Sequence, residues 1–126
     1  MLGGPDILCV QEVENVGVLE ALAAQIASDD PTLVYSAHLL EGHDVGGIDT
    51  GFLVRNTVSV TDVAQIGYDT LLTLDGSFLN DRPPLVLQGQ YVANGAPFAL
   101  TVIGVHGRSL SGIEGTTADA NRVRQK

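Results

Sequence analysis

Between Pro5 and Ile26 the chain changes from one hydrophobic pattern to another, and this change limits its possible folds more than any other feature. Ile7-Leu8-Cys9-Val10 is an uncharged apolar run of strand length, preceded by Pro5, and it reads as a buried strand over Ile7–Val10. Asn15 is placed to cap a helix over Val16–Ala27. Within it Leu19, Leu22, Ala23 and Ile26 follow the i, i+3, i+4, i+7 stripe of a helix packed on a sheet. Asp29-Asp30-Pro31 ends that helix. A strand that hands over to a sheet-packing helix predicts an α/β chain, and in open α/β sheets ligands gather at strand ends. Glu12 falls at such an end, either as a metal ligand or as an ordinary solvated acid.

The remaining strands follow from composition and alternation. Leu33–Leu39 reads as a second strand packed through Val34, Tyr35 and Leu39, with His38 as a hydrogen-bonded core or edge residue. Gly51–Arg55 is a third, and the alternation of Val58, Val60 and Val63 marks Thr57–Ile66 as an edge or half-exposed strand. Gly67 to Asn80 reads as a linker of small and polar residues with two short apolar patches. Leu85–Val92 and Phe98–Val105 flank Ala93-Asn94-Gly95-Ala96. Asn-Gly between two β-rich runs predicts a tight antiparallel hairpin. Thr116 to Lys126 begins a further helix capped by Thr117.

With 126 residues, 44% of them hydrophobic, the chain has the size and apolar content of one domain with one core. Six Lys and Arg against fifteen Asp and Glu leave a net charge of −9, which repels nucleic acid at long range. A phosphate substrate would have to be met locally, through a metal ion or a few placed Arg residues. The single Cys9 excludes an intramolecular disulfide and a Cys-based zinc site, and reads as a small core residue. No apolar run reaches membrane-spanning length, so no membrane partner is expected. Met-Leu-Gly-Gly-Pro lacks the basic start of a signal peptide, and the compartment is not legible.

Three further stretches carry chemistry. Glu41 to Gly51 is a Gly-rich loop with His43, Asp44 and Asp49, whose donors suit a divalent ion. Its spacing matches neither an EF-hand nor a zinc motif, and a solvated loop is the simpler reading. In Asp81-Arg82-Pro83-Pro84-Leu85 the two prolines stiffen the approach to a strand and hold Arg82 just before it, as a surface ion pair or a phosphate contact. His106 leaves its strand on the side shared by Phe98, Leu100, Val102 and Gly104, and a polar loop, Gly107-Arg108-Ser109, follows.

Four segments in order, Gln11-Glu12, Gly47-Ile48-Asp49 running to Arg55, Arg82-Pro83-Pro84-Leu85, and Val105-His106-Gly107-Arg108-Ser109-Leu110-Ser111-Gly112-Ile113, resemble landmarks of the endonuclease/exonuclease/phosphatase superfamily, the deoxyribonuclease I-like fold. The bacterial extracellular nucleases are the nearest in pattern. The resemblance implies an α+β partial β-sandwich: a mixed sheet, one flanking helix, and the C-terminal half of the domain missing. It implies a hydrolase of the phosphodiesterase type, with Glu12 holding a weakly bound magnesium (or manganese or calcium) and Arg82 and His106 donating to the scissile phosphate. Arg108, Ser109 and Asp49 then become substrate contacts. Val105 stands where the family has Asn, and Gly107 where it has Leu. The family's first strand and its final Asp-His pair fall outside the resemblance, so reduced activity is expected, as is pairing of the chain with a copy of itself. Two alternatives stand beside this reading. One is a non-catalytic remnant or binding module. The other is a metal-free carboxylester hydrolase in which His106 activates Ser109 or Ser111, with Asp49 or Asp119 behind it.

Overall fold

The computed structural model describes residues 4–92 and 95–109, together with Glu114 and Val123. The elements in order are β1 (Ile7–Val13), α1 (Val16–Asp29), β2 (Tyr35–Leu39), β3 (Asp49–Arg55), β4 (Val58–Gln65), β5 (Leu85–Tyr91) and β6 (Phe98–Gly104). They form an α+β fold of two three-stranded sheets, ordered β1-β3-β2 and β4-β5-β6, with one helix. Every pairing in them is antiparallel, which corrects the expected mixed sheet. The reason is topological: α1 leads from β1 into β2, and both strands run opposite to β3, which lies between them.

The layers are helix, sheet, sheet, and β3 is the middle of the stack. Its period of two sends Leu53 toward α1 and Phe52 and Val54 toward the second sheet. On the helix side Leu53 meets Leu19, Ala23 and Val13, flanked by Leu8, Val10, Ile26, Tyr35 and Leu39. On the other side Phe52 and Val54 meet Val58, Leu85 and Leu87. Asn15 caps α1 as expected, accepting from the Val18 amide at 3.2 Å. Of the expected apolar stripe Leu19 and Ala23 are buried, whereas Leu22 is exposed. Val34 also is exposed, lying just before β2 rather than in it.

Two glycines let the layers close. A Cβ on Gly51 would stand 2.5 Å from Leu19 Cδ1, so α1 sits directly on that bare backbone. A Cβ on Gly104 would stand 2.8 Å from Thr50 Cγ2 and 2.9 Å from Cys9 Sγ, so the end of β6 presses onto the first sheet. Cys9 thus points between the sheets, but β1 is an edge strand and leaves the thiol exposed, correcting its reading as a core residue.

β5 and β6 pair from Leu85↔Gly104 to Tyr91↔Phe98, the antiparallel partnership expected of them. Ala93 and Asn94 of their turn lie outside the described residues, as does most of Thr116–Lys126. Gly67 to Asn80 is more ordered than a linker. Leu71 bridges Phe78, Leu72 is buried, and Leu79 donates its amide to the Thr70 carbonyl.

The close approach at Gly104 yields a stability test. Gly104→Ala should cost about 1–3 kcal/mol in urea unfolding, the usual range for overpacking. Gly107→Ala, where a Cβ meets nothing within 4 Å, should leave the midpoint nearly unchanged.

Candidate active site

The site begins with an irregularity in β1. Val10 pairs with Gly51 and Val13 with Asp49, so three steps along β1 match two along β3, and one residue is extra. This bulge carries Gln11 and Glu12, and Glu12 takes a left-handed φ of 59°. In a regular strand Val10 and Val13 would face opposite ways. With the extra residue both pack toward α1.

The bulged end of β1 lies beside the start of β3, and the end of β6 lies beside the start of β5. One cross-sheet hydrogen bond joins these corners: Gln11 Nε2 donates to the Val105 carbonyl at 2.8 Å. The neighbouring residues also meet. Glu12 Oε1 stands 3.7 Å from His106 Nε2, with the carboxylate 68% exposed and the imidazole 16% exposed. His106 Nδ1 is buried and finds no hydrogen-bond partner among the described residues.

Beside this pair two loops are laced together. The His43 amide donates to the Asp81 carbonyl at 2.7 Å, and Arg82, the next residue, faces Asp44 at 3.7 Å. Arg108 reaches back from the His106 segment to the Asp81 carboxylate. The Arg82–Asp44 contact is longer than a hydrogen bond, and both side chains are largely buried. The His43 ring stacks on Phe78, centroids 3.6 Å apart, and its Nε2 lies 2.9 Å from the Tyr68 carbonyl, which pins the 67–80 segment to this loop. The segment's two short apolar patches signal packing without showing that His43 is the partner.

Asp49 is buried, 3% exposed, at the start of β3, and accepts the Gly42 amide at 2.9 Å. Burial pushes its carboxyl above the ordinary range, the Gly42 hydrogen bond opposes this, and Glu41 and Asp44 add to the rise. Asp49 shapes the loop from beneath. Ser109 is exposed, while Ser111 and Asp119 lie outside the described residues. His38 is the edge residue expected of it: β2 is the outer strand and Ser36 Oγ lies 2.9 Å from His38 Nε2. Burial lowers its pKa.

Among the described residues no three His, Cys, Asp or Glu side chains gather in a group that could hold a metal. Glu12 offers one exposed carboxylate beside one imidazole. This set suits an ion that keeps most of its own waters, as magnesium does when held by one or two carboxylates and a substrate phosphate. Compared with models of protein families, with curated proteins and with solved structures, the chain has no match.

A buried acid with a raised pKa costs stability once it ionises. In the unfolded chain Asp49 ionises at about 3.9, in the fold at a higher pH, so stability is lost as pH rises between the two values. Asp49→Asn keeps an acceptor for Gly42 and removes that loss. The variant should therefore gain on the parent at pH 7 in thermal unfolding, and the gain should vanish below the unfolded value. A gain equal at both pH values would contradict this account.

Proposed function

We propose that this chain is a metal-dependent phosphoesterase of the endonuclease/exonuclease/phosphatase type, with Glu12 as the metal seat and His106 and Arg82 as phosphate donors. The reading is carried by the contact of Glu12 with His106, 3.7 Å apart, although they lie on different sheets and 94 positions apart in sequence (106 − 12 = 94). Arg82 and Arg108 on the adjoining loops support it, because a phosphate ester needs cationic donors that a net charge of −9 does not otherwise provide. The substrate is a phosphoester small or flexible enough to be met locally. A nucleic acid would engage only through the metal and these arginines.

A bound magnesium, manganese or calcium ion would polarise a phosphoryl oxygen. The chain's own residues would bind and orient the ester, and the attacking water comes from solvent. Glu12 supplies the negative charge that draws a cation to the rim. His106 Nε2, beside Glu12, would donate to a phosphoryl oxygen on the solvent side of the pair. Arg82 exchanges Asp44 for the substrate's second oxygen, and Arg108, anchored on Asp81, keeps the loop from following. One carboxylate holds the ion weakly, so turnover is low and rises with metal concentration into the millimolar range.

The two key replacements should fail differently. Glu12→Gln should bring hydrolysis of a bis-aryl phosphodiester to the level seen with chelator, at any magnesium concentration. His106→Ala should lower the rate on the order of 10²-fold throughout the magnesium titration, as loss of one transition-state donor does. If neither changes the rate, while Ser109→Ala abolishes cleavage of an aryl carboxylester, the phosphoesterase reading is wrong. A chain that turns over neither ester is a non-catalytic remnant or binding module.

We further propose that two copies pair along β6. Phe98, Ile103 and Val105 are 67%, 52% and 58% exposed, and among the described residues β6 is hydrogen-bonded only to β5. The like charge of two copies opposes this, so added salt should strengthen it. Sedimentation should show a dimer fraction that grows with salt, and a monomer at every salt concentration would refute the pairing.

A further inference from the structure

We propose that Gln11 is a positioning residue of this site, and that its side-chain amide sets the distance between Glu12 and His106. Its catalytic consequence rests on the phosphoesterase reading above, but its geometric claim does not. β1 and β6 belong to different sheets and share no ladder, so backbone pairing does not set the spacing of the residues they carry. Gln11 Nε2 donates to the Val105 carbonyl at 2.8 Å. The residue after each partner is a member of the contact pair, Glu12 on one side and His106 on the other. The packing of Gly104 on Cys9 and Thr50 brings the two strands together, and this hydrogen bond ties the residues that carry the site to each other.

Two further features make the tie consequential. Glu12 sits at φ 59°, a conformation that non-glycine residues hold only where the surroundings impose it, and Gln11 is the adjacent residue within the same bulge. Among the described residues His106 Nδ1 finds no hydrogen-bond partner, and Nε2 faces Glu12 at 3.7 Å, longer than a hydrogen bond. The ring's orientation then follows from where the Val105–His106 backbone is held. The bond itself is solvent-exposed, so losing it changes global stability little, and what it changes is position.

The test uses two variants of the full chain. Gln11→Met keeps length and removes the donor; Gln11→Lys keeps a donor. In metal-free protein, the nuclear Overhauser cross-peak between the Glu12 side chain and the His106 ring should be present in the parent, lost in Gln11→Met and restored in Gln11→Lys. With magnesium and a bis-aryl phosphodiester, kcat of Gln11→Met should fall about tenfold while KM stays within about twofold, since misplacement affects the reacting geometry more than binding. Gln11→Lys should recover most of that loss. Circular dichroism should give one spectrum for all three. A Gln11→Met protein that keeps the cross-peak, or a Gln11→Lys protein that loses it equally, overturns the proposal. If the cross-peak behaves as expected while the parent cleaves no phosphodiester, the role of Gln11 stands and the phosphoesterase reading falls.

Discussion

The burial of β3 on both faces is the constraint on which the rest of the structure depends. Phe52 and Leu53 are fully buried and Val54 is 1% exposed, so three consecutive side chains of one strand serve two separate cores. A strand in that position needs a cover on each side. α1 provides one and the β4-β5-β6 sheet the other, and the bare backbones at Gly51 and Gly104 let each cover come close. Phe52 and Leu53 each bury a large side chain, worth about 1.5–3 kcal/mol apiece in transfer free energy, so withdrawing either cover forfeits that much at one residue alone, against about 5–15 kcal/mol for a whole domain. The candidate site lies at the rim where both covers meet β3, beside Asp49 at that strand's first position.

What was legible in the sequence is what local pattern governs. The 3.6-residue stripe of α1, its Asn15 cap, the alternation of Val58, Val60 and Val63, and the two runs flanking Asn94-Gly95 each place an element, because each signal arises from neighbours along the chain. Strand direction in the first sheet was not legible. It depends on which strand lies between which, and β1-β3-β2 puts β3 between two strands that α1 connects on the helix face. The exposure of Cys9 was hidden for the same reason. An uncharged run predicts a buried strand, but not whether that strand will lie at an edge.

The candidate site residues were singled out from their sequence setting, but their partners were not legible. The engagement of Arg82 with Asp44, and that of Arg108 with Asp81, arises from the packing of two loops that no periodicity relates. The stacking of His43 on Phe78 was likewise not legible, since an apolar patch in the 67–80 segment shows that Phe78 packs but not on what. Contacts of this kind are formed by tertiary closure. A linear pattern records the residues that take part without recording which meets which.

The bulge in β1 shows how closely the fold and the site are joined. Holding Glu12 in the left-handed region costs about 1–2 kcal/mol. In exchange, the extra residue turns Val13 back toward the helix, where it is 8% exposed, and burial of a valine contributes about 1.5–3 kcal/mol. Packing alone therefore accounts for the bulge, and no functional pressure is needed to explain the strained backbone. The direction of the Glu12 side chain follows from it. With Val10 and Val13 both committed to α1, the residues between them are displaced from the β3 ladder. Gln11 then reaches Val105, and Glu12 faces His106 across the gap between the sheets. The same insertion that completes the helix-side core puts a carboxylate beside an imidazole at the rim, so a substitution that removed the bulge would alter the core and the site together.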